Sequence, residues 1–156
     1  MRSTDPTGER GQPDQNTVDG LDTAELVATM PFAVRLGIRL AAATREEVRG
    51  SLAWDPSLCT VGGMLHGGVL ISLADTLGAV CAYLNLPPDT TTATVESKTN
   101  LFRAVRSGTV TAVSRPLHTG RTFTVVQTDL HDDQGRRVAQ VTQTQAVLPL
   151  ARDSGA

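Results

Sequence analysis

Hydrophobic and polar positions divide the chain into a polar start, one long apolar run and several alternating segments. Residues 1–20 contain almost no apolar side chains. They cannot bury enough surface to offset the entropy of ordering, so a disordered tail is predicted there. Residues 21–30 have a short helical spacing, which is expected to end at Pro31-Phe32 because the residue before a proline avoids the helical region.

The rest of the pattern predicts six strands and one long helix. Residues 35–43 and 48–54 flank a polar stretch and predict a hairpin. A glycine-rich passage then leads into an apolar run that predicts a helix to about residue 86, since Pro87-Pro88 cannot continue it. Four segments rich in valine and threonine, each bounded by turn residues, predict four further strands. They span residues 91–102, 109–117, 122–131 and 136–148.

This order predicts an α+β fold in which one antiparallel sheet packs against one helix. Short connections between strands require antiparallel neighbours. A single helix covers one face only and leaves the sheet edges exposed, so a homodimer is expected. The length fits one domain, predicted over residues 21–150, followed by a flexible C-terminus at 151–156.

Composition narrows the classes of partner. The formal net charge of -2 provides no broad basic field, so no nucleic-acid partner is expected. No apolar run reaches the roughly 20 residues that cross a bilayer, and no secretory pattern opens the chain, so we expect a cytoplasmic protein without a membrane partner. Cys59 and Cys81 fit neither a redox pair nor a zinc site and are interpreted as small hydrophobes.

Asp75 is the one acidic side chain within the predicted long helix. A solvated helix face normally carries Lys, Glu or Arg, whereas the face of Asp75 carries small residues, which favours a functional carboxylate in a closely packed place. The alternative is a solvated or capping acid. At helical spacing one face comprises Leu70, Leu73, Leu77, Val80 and Leu84, and the other comprises Ser72, Asp75, Thr76 and Ala79.

Gly67 and Gly68 fall where this helix is predicted to begin, so free N–H groups are available there to an oxyanion or carbonyl oxygen. Two glycines equally fit a tight entry turn, and His66 fits a helix cap or a packed core histidine as well as a site residue. His66 and Asp75 are about 12–14 Å apart along a helix and cannot readily meet in one chain. Two chains paired about a two-fold axis would form a composite site.

A series of short motifs runs along the chain, namely Gly63-x-x-His66-Gly67-Gly68, Ala74-Asp75, Thr94-Val95-Glu96, Leu101-Phe102-Arg103 and a turn at Gly108. Together they resemble the motifs of the hotdog-fold acyl-CoA thioesterases of the phenylacetate-degradation type. The related 4-hydroxybenzoyl-CoA thioesterases share the His-Gly-Gly turn but usually carry Glu at the acid position. The resemblance covers residues 32–148 and implies an antiparallel sheet wrapped around one long central helix. It also implies hydrolysis of acyl-CoA thioesters with aromatic or medium-chain acyl groups, without a metal or cofactor.

The resemblance further implies roles for individual residues. The N–H of Gly67 would polarise the thioester carbonyl, and Asp75 would act as general base or nucleophile. Thr94 would position a water molecule beside Asp75, and His66 would help to shape the turn and the thioester pocket. Gly68 would take part in substrate binding. Because a thiolate leaves easily, one carboxylate and one polarising N–H can suffice without a serine triad.

One departure from the family concerns Thr60, where Asn or Gln is common six residues before the histidine. A hydroxyl is shorter, so it does a reduced version of the task, or activity is weak, or the substrate geometry differs. Arginines near the strand ends are candidates for contacting the phosphates of coenzyme A, with ordinary solvated charge as the alternative. Arg121 is the first of them because its hairpin is characteristic of the family. The four are Arg103, Arg106, Arg115 and Arg121.

Two other functions compete with hydrolysis. A hotdog domain that binds acyl-CoA without turnover, as a sensor or carrier, is kept open by Thr60. Asp75 argues against it because burying an unpaired carboxylate costs several kcal/mol. A hotdog dehydratase or hydratase usually has a His-Phe-Pro-Gly segment, which this chain lacks.

The resemblance also implies a tetramer built from two dimers, because relatives often form one.

Overall fold

The computed structural model describes residues 17–18 and 21–150. Most of the predicted tail, residues 1–16 and 19–20, and the predicted flexible C-terminus at 151–156 lie outside the described residues. In chain order the elements are β1 Thr17–Val18, β2 Leu21–Asp22, α1 Thr23–Ala28, α2 Pro31–Leu36, β3 Arg39–Ala43, β4 Val48–Ala53, a 3-10 turn Pro56–Leu58, α3 Gly67–Leu84, β5 Thr90–Leu101, β6 Thr109–Thr119, β7 Phe123–His131 and β8 Arg137–Pro149.

The main sheet has six strands in the order β3-β4-β6-β7-β8-β5, and every neighbouring pair is antiparallel. The long helix α3 packs on one face and contacts each of the strands from β3 to β8. The predicted hotdog fold is therefore confirmed. β5 and β3 form the two edges.

The core lies between α3 and the inward face of the sheet. Buried side chains alternate along β7 and β8, as expected for strands with one covered face. Leu73 and Leu77 of α3 are fully buried among Val126 and Val141 of these strands. By length and composition alone α3 would cross a membrane, but half of it is buried inside the domain, which is typical of a core helix.

The segment before β3 differs from the prediction. Instead of one helix over 21–30 and a strand from residue 35, the chain forms two short helices, and the strand begins only at Arg39. Pro31 opens α2 at a position where its missing N–H costs nothing, and Gly37 ends α2 in the left-handed region at φ 73°. The prediction of a strand from Arg35 was wrong because a short apolar run has the same composition in a helix and in a strand.

Candidate active site

His66 is the N-cap of α3. Its backbone is extended (φ -62°, ψ 136°), and its ring Nδ1 accepts a hydrogen bond of 2.9 Å from the N–H of Gly68. Its own N–H donates to the carbonyl of Leu58 at 2.9 Å. Of the alternatives open from the sequence, the structure thus selects a helix cap for His66, and the N–H of Gly68 is already used inside the chain.

Gly67 is the first residue of α3, and its N–H points out of the helix start. Within the part of the chain that the structure describes, no acceptor takes this hydrogen bond. A pocket of about 290 Å³ opens beside it and is lined by Thr60, Leu101 and Arg103 among others. A Cβ at residue 67 would approach Leu101 Cδ1 to 2.7 Å, so glycine allows this close contact. Three of the predicted site residues therefore share one pocket.

The glycine-rich loop before the helix is held by two side chains that the sequence analysis did not connect with it. Trp54 Nε1 donates to the carbonyl of Gly63 at 3.1 Å, and Arg106 Nη1 donates to the carbonyl of Gly62 at 2.7 Å. Both glycines have positive φ values, 87° at Gly62 and 73° at Gly63. Arg106, a candidate for phosphate binding, is thus engaged with the loop. Thr60 is exposed, and the hydrogen bonds that it forms in this loop are made by its backbone.

Asp75 lies in the middle of α3 and is exposed in the single subunit, so the closely packed place predicted for its carboxylate does not form within one chain. Its Oδ1 accepts hydrogen bonds from Thr94 Oγ1 at 3.4 Å and from Gln143 Nε2 at 2.5 Å. No described residue donates to Oδ2. The neighbouring hydroxyls of Ser72 and Thr76 donate to carbonyls of the helix itself, so they do not compete for the carboxylate.

A chain of side-chain hydrogen bonds supports Thr94. Gln145 Nε2 donates to Thr94 Oγ1 at 2.9 Å, and Thr92 Oγ1 donates to Gln145 Oε1 at 3.2 Å. Gln143 and Gln145 are both almost completely buried. These glutamines were not among the residues predicted from the sequence. The available signal was Thr142-Gln143-Thr144-Gln145, in which both faces of a strand next to the sheet edge are polar, although one face must cover the core.

The two remaining candidates for phosphate binding, Arg115 and Arg121, have different surroundings. Arg115 forms an ion pair of 2.6 Å with Glu47. Arg121 is exposed in the turn between β6 and β7. Strand pairing places this turn at the end of the sheet that holds Thr94, while Leu101 and the pocket beside Gly67 lie at the other end.

A second pocket, of about 390 Å³, lies between α1, α3 and β5. It begins at Ala79, one helical turn beyond Asp75, and reaches Tyr83. No charged side chain lines it. The hydroxyls of Thr29 and Thr92 donate to carbonyl oxygens of the protein, so they leave this pocket mainly apolar. Its lining residues are Leu26, Thr29, Met30, Ala79, Val80, Tyr83, Thr91 and Thr92.

The structure thus forms two clusters in one chain, one around Gly67 and one around Asp75. Eight residues of helix separate the two, or about 12 Å at 1.5 Å per residue. A third pocket, of about 440 Å³, is lined by Arg39, Ser51 and Trp54 among others and contains neither Gly67 nor Asp75.

Comparison with known proteins relates the chain to thioester hydrolases. A family model described as the thioesterase superfamily matches residues 62–139. The Pseudomonas aeruginosa protein PA1618 is 38% identical over 123 residues, which cover 77% of this chain and 83% of that protein. The crystal structure of a mutant of thioesterase PA1618 superposes with a TM-score of 0.79, at 34% identity, over 83% of this chain and 96% of that chain.

Two further relatives come from other bacteria. The structure of thioesterase HI1161 from Haemophilus influenzae superposes with a TM-score of 0.80 at 27% identity, over 90% of this chain and 98% of that chain. The 1,4-dihydroxy-2-naphthoyl-CoA hydrolase of Escherichia coli is 35% identical over 86 residues, which cover 55% of this chain and 63% of that protein.

Proposed function

The chain belongs to the thioesterase superfamily, and we propose on that premise that it hydrolyses acyl-CoA thioesters to a free acid and coenzyme A. The proposed active site is composite and forms in a homodimer. Asp75 of one subunit acts on a thioester whose carbonyl oxygen accepts a hydrogen bond from the N–H of the partner's Gly67. No cofactor takes part.

One observation carries this proposal, namely that strand β5 joins the two half-sites. Near its start Thr94 donates to Asp75, and at its end Leu101 touches Gly67. These two positions are seven residues, or about 23 Å, apart along the strand. Antiparallel pairing of two β5 strands about an axis near Ser97 brings Thr94 of each subunit towards the end of the partner's strand. Asp75 then meets the partner's Gly67.

The exposure of β5 supports the same pairing. It is a 12-residue edge strand, and its central residues are exposed on both faces. Val95 is 67% exposed and Leu101 is 52% exposed. A long exposed edge with apolar side chains invites unwanted association, so proteins cover such edges. Pairing with a second β5 covers it and continues the sheet across the dimer.

The chemistry needs few groups. The N–H of the partner's Gly67 stabilises negative charge on the carbonyl oxygen while Asp75 either removes a proton from water or attacks the carbonyl carbon. In the first route the C–O bond to water forms, the C–S bond breaks, and the proton passes to the departing thiolate. In the second route a C–O bond forms between Asp75 and the carbonyl carbon, the C–S bond breaks and the CoA thiolate leaves, which gives a mixed anhydride. Water then breaks a C–O bond of the anhydride, releases the acid and returns Asp75 to its carboxylate form. A single carboxylate serves both routes.

The groove beside Ala79 and two arginines suggest how an acyl-CoA would lie. The uncharged groove that starts at Ala79 is suited to an apolar acyl group, and we propose aromatic or medium-chain acyl groups as substrates. The E. coli hydrolase named for an aromatic acyl-CoA is a precedent among the relatives. Strand pairing would bring the partner's Arg103 to the same end as Arg121, and both are candidates for the CoA phosphates.

Thioester turnover is tested with purified protein and a panel of acetyl-, hexanoyl-, octanoyl-, benzoyl- and phenylacetyl-CoA. Release of free thiol is followed for the wild-type protein and for Asp75→Asn. We expect turnover by the wild type and its loss in the variant, with unchanged circular dichroism and size in solution. Tight acyl-CoA binding without thiol release would instead identify a carrier or sensor, the alternative that Thr60 keeps open. Equal turnover by Asp75→Asn would refute the proposed mechanism.

A further inference from the structure

Two donors meet one oxygen of Asp75. Thr94 and Gln143 both donate to Oδ1, and no described residue donates to Oδ2. The terminal torsion of an aspartate is broad and nearly two-fold, so an unanchored carboxylate presents either oxygen in many orientations. Two donors on Oδ1 leave Oδ2 as the oxygen that faces a ligand.

Gln143 is itself held in one orientation. Its side chain is completely buried, and its Oε1 packs against Gly78 of α3. An ionised carboxylate has no proton to donate and can only accept hydrogen bonds, so the amide nitrogen of Gln143 has to face Asp75. The amide of Gln143 therefore acts as a fixed donor from the sheet on which α3 packs.

The amide oxygen of Gln143 has no hydrogen-bond partner among the described residues. Leaving a buried acceptor without a donor destabilises the fold, and an apolar side chain of similar size would avoid that loss. Fold stability alone therefore does not account for glutamine at this position. The bond to Asp75 is the contact that an apolar residue would lose.

Thr94 is oriented by a directed series of bonds. The amide nitrogen of Gln145 donates to Thr94, whereas the one proton of Thr92 Oγ1 lies within reach of two acceptors, the Gln145 amide oxygen at 3.2 Å and the Ala146 carbonyl at 3.1 Å. Because the Thr94 oxygen already accepts a proton from Gln145, its own proton is available to Asp75. Gln145 on β8 thus orients Thr94 as the second donor to Oδ1.

Resting on the thioesterase function proposed above, we propose that Gln143 is a positioning residue that commits Asp75 Oδ2 to the reacting water or carbonyl carbon. Gln145 has the same role at one remove, through Thr94. Such an anchor acts on the oriented complex rather than on its formation, so its loss should lower kcat more than it raises KM.

A matched pair of variants on β8 tests this role. Gln143→Met removes the donor that faces Asp75. Gln140→Met removes another amide of β8, which is partly buried and donates to a different carboxylate, Asp129, at 3.0 Å. We expect Gln143→Met to lower kcat at least about tenfold with KM changed less than about twofold. Gln140→Met should leave both within about twofold. Equal effects of the two variants would overturn the assignment.

A double-mutant cycle separates positioning from a structural role. In the Asp75→Asn background no carboxylate remains to be oriented, so Gln143→Met should not reduce the residual rate further. A further loss of the same size as in the wild type would overturn the proposal. If Gln143→Met does not fold, Gln143→Asn, which keeps the amide but shortens its reach, should show the same loss of kcat, and wild-type kcat in this variant refutes the role. Absence of thioester hydrolysis in the wild type would contradict the proposed function. Hydrolysis by the wild type, together with an unchanged kcat in Gln143→Met, would contradict only this inference.

Discussion

Gln143 occupies the space that Gly78 leaves open on the core helix. A Cβ at residue 78 would overlap with Gln143 Oε1, and the amide nitrogen of the same side chain reaches Asp75. Glycine inside a helix costs about 1 kcal/mol relative to alanine. The contact gives this glycine a local reason, because the helix has to lie close to the strand for the glutamine to touch both residues.

Gly78→Ala should displace Gln143 and reduce both stability and turnover. We expect the free energy of unfolding to fall by about 1–3 kcal/mol from overpacking, less the gain in helix propensity. The double variant Gly78→Ala/Gln143→Ala removes the overlap, so it should regain stability while turnover remains low. Urea unfolding and thiol-release kinetics measure the two effects. Wild-type stability and turnover in Gly78→Ala would contradict the close contact.

Gly67→Pro should remove the proposed oxyanion donor without breaking the helix. Proline is favoured at the first helical position, and His66, with φ -62° and ψ 136°, already has the backbone conformation preferred before a proline. Loss of one such donor costs about 10²–10³ in kcat. The matched control Gly67→Ala adds a Cβ beside Leu101 but keeps the N–H, so its effect on kcat should be much smaller. If both variants lose the same activity, crowding at Leu101 rather than the missing N–H is responsible.

A composite site predicts that two inactive variants restore each other. In a mixed dimer of Asp75→Asn and Gly67→Pro, one of the two sites combines an intact Asp75 with an intact Gly67 of the partner subunit. Random exchange of subunits should therefore return about a quarter of wild-type activity, since half of the dimers are mixed and one site in each is intact. The measurement is thiol release after refolding the variants together from denaturant. A mixture no more active than its components would indicate a site within one chain.

The hydrophobic pattern was sufficient to predict the main elements of the fold. Segments with a clear period, such as α3 and β5 to β8, were predicted with ends within about two residues of those observed. The helix α2 was missed, because a short apolar run between Pro31 and Gly37 carries no decisive period. The N-cap of His66 depends on backbone angles that the sequence left open.

The chemistry of the site was only partly visible in the sequence. Asp75 stood out as an acid among apolar residues, and Thr94 was assigned through a family resemblance. Gln143 and Gln145 could not be linked to them, because the 51-residue separation of Gln145 from Thr94 is bridged by strand pairing and the 68-residue separation of Gln143 from Asp75 by the packing of α3 on the sheet. Contacts of these two kinds depend on tertiary structure, which local sequence does not encode.

Cys81 should make stability fall at high pH. Burial raises the pKa of its thiol to about 12, from an ordinary value of 9.0. Above the ordinary value the unfolded chain loses a proton that the folded chain keeps, so stability decreases as the pH rises from about 9 towards 12, by at most about 1.4 kcal/mol per pH unit. Cys81→Ala should lack this slope, although a cavity lowers its stability at every pH. Urea unfolding at pH 8, 9 and 10 compares the two, and parallel curves would contradict the prediction.

Ala79→Leu should narrow the groove in which the acyl group is proposed to lie. Ala79 is one turn beyond Asp75 and lines the groove next to Tyr83, so three added carbons would occupy the space nearest the reacting carbonyl. We expect kcat/KM for octanoyl- and benzoyl-CoA to fall about tenfold or more, while acetyl-CoA, which does not reach the groove, is affected much less.

The matched control for this variant is Ala41→Leu, which adds the same side chain at an exposed position of β3, the opposite edge of the sheet. It should leave all rates unchanged. An equal loss for acetyl- and octanoyl-CoA in Ala79→Leu would mean that residue 79 disturbs Asp75 rather than the acyl group. Unchanged rates for every acyl-CoA would place the acyl group elsewhere, because an apolar pocket that binds an acyl chain cannot lose this space without losing affinity for the chain.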